Sequence, residues 1–96
     1  MVAIDHERLA ELCEQHGVAV LKIFGSAARG DDAPDSDIDL LIEFRDRKGL
    51  LELVGFEIEL TEMFGRKVDL VTEASLSPYL RDRILSSASV LYEGEG

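Results

Sequence analysis

The chain has 96 residues, 46% apolar and 31% charged, the proportions of one ordinary globular domain (1–96) rather than of a disordered or fibrous chain. Ten basic against 20 acidic residues leave a net charge of −10, which argues against direct nucleic-acid binding, since such a surface needs a basic stripe to displace phosphate counterions. No apolar run is long enough to span a bilayer, MVAIDHERLAEL has no apolar signal core and the lone Cys13 can form no internal disulfide, so a cytoplasmic location away from membranes is expected.

Residues 5–16 predict a helix, with Leu9, Leu12, Cys13 and His16 at spacings of three and four, and Gly17 stops it. Cys13 reads as core filler, and His6 and His16 as surface or core-edge residues. VAVLKIF, residues 18–24, is a short β-branched run that predicts a strand buried largely on both faces. Residues 26–29 allow no more than a turn of helix, and IDLLIEF, residues 38–44, predicts a second strand.

Residues 50–64 are helical by length. Glu52, Glu59 and Glu62 share one arc of that helix, and apart from Glu57 and Thr61 nearly all the rest is apolar. Two readings stay open: a well-buried helix, or one whose apolar face partly meets another protein. KVDLV, residues 67–71, predicts a third strand with Asp69 in its middle. Ser75 then starts a helix with Leu76, Leu80, Ile84 and Leu85 as its stripe and Pro78 in its first turn, and residues 90–92 form a short last strand. The alternation predicts an α/β (α+β) fold, a small mixed sheet flanked by helices.

The chemistry concentrates in FGSAARGDDAPDSDIDLLIEF, residues 24–44. Gly25 and Gly30 have P-loop separation, but Asp31 and Asp32 stand where Lys and Ser/Thr are required, which reverses the chemistry. A calcium loop starting at Asp35 fails because Leu40 occupies the position that must be Gly. Strand geometry serves better. Asp37 and Asp39, two apart, project from one face while Ile38 and Leu40 supply the buried one. Carboxylates so close repel each other unless a cation sits between them, and Mg²⁺ suits a few carboxylates plus phosphate oxygens. The Gly25-Ser26 turn offers N–H groups and a hydroxyl to those oxygens. Asp31, Asp32 and Asp35 read as solvated loop residues.

Gly25-Ser26 followed by Asp37-x-Asp39 resembles the signature of the DNA polymerase β-like nucleotidyltransferase superfamily. The fuller string GSAARG…SDIDLLI is similar to its minimal nucleotidyltransferase (MNT) branch, small proteins encoded beside HEPN-domain toxins. The resemblance implies a polymerase β-like core and transfer of a nucleotidyl group with two divalent ions. Asp37 and Asp39 would bind the metals, and Asp69 would supply the third carboxylate and help deprotonate the attacking hydroxyl. A lone acid in an apolar strand needs a compensating partner, which independently favours Asp69. Gly25 and Ser26 would hold the β- and γ-phosphates; Arg29 either assists them or pairs with Asp31, Asp32 or Asp35.

Larger relatives add a second domain for the acceptor, and a chain ending at Gly96 is expected to leave no room for one. The resemblance therefore implies an antitoxin that transfers AMP from Mg²⁺-ATP to a tyrosine of a cognate HEPN ribonuclease toxin. Two rivals stand beside it: a binding antitoxin that masks the toxin without chemistry, and the catalytic subunit of a small-molecule nucleotidyltransferase.

Overall fold

The computed structural model describes residues 5–25, 37–46 and 49–94. Asp5 caps the first helix, α1 (His6–Gln15), its carboxylate accepting the Arg8 N–H at 3.2 Å. Gly17, at φ 68°, reverses the chain behind it. The strand β1 (Val18–Phe24) follows, then β2 (Ile38–Phe44), α2 (Leu50–Phe64) and β3 (Val68–Thr72). A 3₁₀ turn (Glu73–Ser75), α3 (Pro78–Ser87) and β4 (Ser89–Glu93) complete the described chain.

The strands form one mixed sheet in the order β3-β2-β1-β4. β1 pairs antiparallel with β2 and with β4, whereas β2 and β3 run parallel, joined through α2. α1 and α2 cover one face. There Leu9 and Cys13 of α1 and Phe56 and Leu60 of α2 close on Leu21, Ile23, Ile38, Leu40, Ile42, Val68 and Leu70. Alternate residues turn to the other face, where Leu85 of α3 joins Val20, Lys22 and Leu41 around a small cavity. α3 contributes no fully buried residue, so this second face is only partly covered. That is why β1 is half-buried at Val20, Lys22 and Phe24 rather than enclosed on both sides as its sequence suggests.

α2 departs from the well-buried reading. Only Phe56 and Leu60 are buried, while Leu50 (73%), Leu51 (89%), Val54 (42%) and Ile58 (54%) are exposed as one stripe. The helix lies along the sheet's edge, and the two polar residues inside its apolar stretch explain how. Glu57 accepts the Leu70 N–H at 3.0 Å and Thr61 the Val68 N–H at 3.3 Å. These N–H groups belong to an edge strand, where unpaired donors would otherwise invite another chain. His16 ties α1 to the acidic arc of α2: Nε2 hydrogen-bonds Glu59, Nδ1 lies 3.4 Å from Glu52, and the ring packs on Phe56 at 4.9 Å.

The helix expected from Ser75 begins later. Ser75 sits in the 3₁₀ turn with its hydroxyl donated to the Thr72 carbonyl, and Ser77 is the cap, accepting the Tyr79 N–H at 3.2 Å. Pro78 at the first helical position explains the shift, since its fixed φ suits that place and it has no N–H to satisfy.

Candidate active site

Three strand ends meet at one end of the sheet. Gly25 follows the last residue of β1, Asp39 is the second residue of β2 and Asp69 the second of β3. Asp39 and Asp69 are direct partners in the parallel ladder, so their side chains leave the same face, opposite the one that buries Ile38, Leu40, Val68 and Leu70. Asp39 is also opposite Phe24 in the antiparallel ladder, which brings Gly25 beside it.

Asp69, the residue the sequence ties to the pair chiefly through a family resemblance, is thus next to Asp39. Asp37, just before β2, lies close enough to Asp39 to act on it electrostatically. Partial burial, then the negative charges of Asp69 and Asp37, push the Asp39 carboxyl above the usual carboxylate range. Such a carboxylate is stabilised by a cation.

Gly25 shows what a side chain at this position would meet. Its φ is +74°, and a Cβ built there would lie 2.6 Å from Asp39 Oδ2, a distance real Cβ atoms essentially never show. The missing methyl is the space the Asp39 carboxylate occupies. Ser26 and Arg29, expected to hold phosphates, lie outside the described residues, as do Asp31, Asp32 and Asp35.

The carboxylates do not close on a single point: among the described residues no three His, Cys, Asp or Glu side chains form a ready cage for an ion. Lys67 stands beside them, its Nζ 3.8 Å from Asp37 Oδ2, an exposed pair of little strength. The oxygen donors, their mutual repulsion and the side-chain-free Gly25 together fit a hard divalent cation. Sequence reasoning misses Lys67, although standing two residues before Asp69 puts it on the same face.

A groove borders this site on the β4 side. Phe24 and Gly25 form one wall, and Leu80, Arg83, Ile84 and Ser87 of α3, spaced three and four apart along one face, form the other with Ser86. The groove encloses about 460 Å³.

A carboxylate pair on adjacent strand ends beside a glycine turn is the arrangement of a nucleotidyl-transfer centre, and comparison with known proteins agrees. The family described as Nucleotidyltransferase domain matches residues 7–91. A Methanocaldococcus jannaschii protein named as a candidate protein adenylyltransferase is 49% identical over 74 residues, covering 77% of this chain and 80% of that one. The protein adenylyltransferase MntA of Thermococcus cleftensis is 37% identical over 75 residues, 78% of this chain and 76% of its own. Among solved structures, a minimal nucleotidyltransferase is 38% identical with a TM-score of 0.78, covering 88% of this chain and 86% of that one.

A toxin–antitoxin structure with AMP-PNP shares the fold at 20% identity and a TM-score of 0.78, covering 96% and 76%. A tri-AMPylated Shewanella oneidensis HEPN toxin in complex with MNT antitoxin does so at 19% identity and 0.68, covering 93% and 70%. The chain belongs to the nucleotidyltransferase family, on the minimal branch that holds the MntA protein adenylyltransferase.

Proposed function

We propose that the protein is a cytoplasmic, single-domain antitoxin that transfers AMP from ATP to a tyrosine hydroxyl of a cognate HEPN toxin and so silences it. The observation carrying this reading is the in-register pair Asp39 and Asp69, with Gly25 vacating the space beside it. Relatives named for protein adenylylation and the shared fold with the AMPylated toxin complex support the choice of AMP and of a HEPN partner. The exposed stripe Leu50, Leu51, Val54 and Ile58 supports a protein acceptor, and the net charge of −10 supports one that is not nucleic acid. Among the described residues no helix is long and apolar enough to cross a membrane.

Asp37, Asp39 and Asp69 would hold two Mg²⁺ ions. Bound there, the ions would offset carboxylate–phosphate repulsion and polarise the α-phosphorus. The Gly25 backbone together with Ser26 and Arg29 would hold the β- and γ-phosphates. Asp69, more exposed than Asp39, would help take the tyrosine proton. The tyrosine oxygen bonds to the α-phosphorus as the bond from that phosphorus to the bridging oxygen breaks, and pyrophosphate leaves with the electron pair.

The test is incubation with α-labelled ATP, Mg²⁺ and the product of the neighbouring gene. Label on the partner with the native protein, lost in Asp37→Ala plus Asp39→Ala, is the expected result. No label with the native protein rejects the reading, and label that survives the double substitution rejects this site. Neutralisation of the toxin by the double variant would instead favour masking, and label on a small molecule the third reading.

A further inference from the structure

The groove between β1 and α3 carries a cation that the proposed chemistry has not used. Arg83 of α3 lines the groove whose other wall is Phe24 and Gly25, and Gly25 borders both that groove and the Asp39 carboxylate. Among the described residues no carboxylate pairs with Arg83, whereas Lys67, on the far side of the site, is engaged with Asp37. The neighbouring hydroxyls are already turned inward: Ser86 and Ser87 each donate to the Arg83 carbonyl at 3.0 Å. The guanidinium is the group this wall has left to offer.

We infer that Arg83 binds the terminal phosphates of the nucleoside triphosphate and stabilises the pyrophosphate as it leaves. This rests on the nucleotidyl-transfer reading and adds to it a residue and an exit side. Charge complementarity selects the occupant. The reacting α-phosphate has to lie at Asp39 and Asp69, so the β- and γ-phosphates extend away from the three acids and need a positive charge of their own. The groove one residue away, beyond Gly25, offers a positive charge. A guanidinium fork engages two phosphate oxygens at once, and negative charge grows on the β-phosphate side as the bond to the α-phosphorus breaks. Because Arg83 lies on an exposed helix face, its loss leaves the fold intact.

The experiment is calorimetric titration of the whole protein, with Mg²⁺, against a non-hydrolysable ATP analogue, pyrophosphate and AMP. Arg83→Gln is expected to weaken the analogue and pyrophosphate by roughly tenfold to a hundredfold while leaving AMP binding and Tm unchanged. Arg83→Lys is expected to recover part of that loss, because the charge returns without the fork. Unchanged binding of the analogue and pyrophosphate by Arg83→Gln overturns the assignment. An equal loss of AMP overturns it too, since the groove would then hold the nucleoside. A native protein that binds no triphosphate overturns the nucleotidyl-transfer reading itself, and this proposal with it; the titrations need no partner protein.

Discussion

Replacing Gly25 with alanine separates what the site needs from what the fold needs. Two costs follow from the geometry. The backbone at φ +74° suits glycine, and a side chain there costs about 1 kcal/mol. The new methyl would also stand 2.6 Å from Asp39 Oδ2, so the carboxylate must retreat by about 0.8 Å to regain an ordinary 3.4 Å contact. That retreat is cheap for stability, because the atom is the far end of a side chain able to rotate. It is not cheap for chemistry: an error of about 1 Å in a reacting geometry can cost on the order of a hundredfold in rate. Gly25→Ala should therefore lower Tm by about 4–8 °C, the shift expected of about 1 kcal/mol in a domain of this size. Single-turnover transfer of AMP to the partner should fall by roughly tenfold to a hundredfold, with far-UV circular dichroism unchanged. A Gly25→Ala protein that transfers AMP at the native rate would refute the claim that the empty position holds Asp39 in place.

Four further outcomes follow. Asp39→Asn removes a carboxylate that burial and two neighbouring acids disfavour, so without Mg²⁺ the variant should melt higher than the native protein at neutral pH while losing transfer activity. The native fold holds that proton more tightly than the unfolded chain does; native stability should therefore rise as pH falls from the raised pKa to the ordinary carboxylate range, and thermal melts of Asp39→Asn should lack that rise. Leu51→Asp with Ile58→Asp, on a stripe 89% and 54% exposed, should change Tm by little yet weaken co-purification with the partner at least tenfold. Cys13 is fully buried and its thiol is pushed up to about 12 by desolvation, so iodoacetamide at pH 8 should leave it unmodified until the protein is unfolded, as intact mass will report.

Elements defined by local periodicity were legible in the sequence because local sterics and alternation decide them. β2 and α2 run over the residues their apolar patterns delimit. Elements whose limits depend on packing were less so. The sequence reading starts α3 at Ser75, and only the folded chain shows Ser77 accepting from the Tyr79 N–H while Ser75 turns back to Thr72. In α2 the composition suggested burial, yet a helix at the sheet's edge can bury only one side, and Glu57 and Thr61 are spent on the β3 backbone.

The site divides in the same way. By itself the sequence determined that two carboxylates lie beside a glycine turn, because residues 24–39 carry that information within one short stretch. The tertiary structure decided that Asp69, 30 positions beyond Asp39 in the numbering, is its ladder partner, that Gly25 is the residue against its carboxylate and that Arg83 shares a groove with that glycine. Parallel pairing through a crossover helix brings Asp69 to Asp39 and antiparallel pairing brings Gly25, and no spacing along the chain encodes a register between strands that distant loops connect.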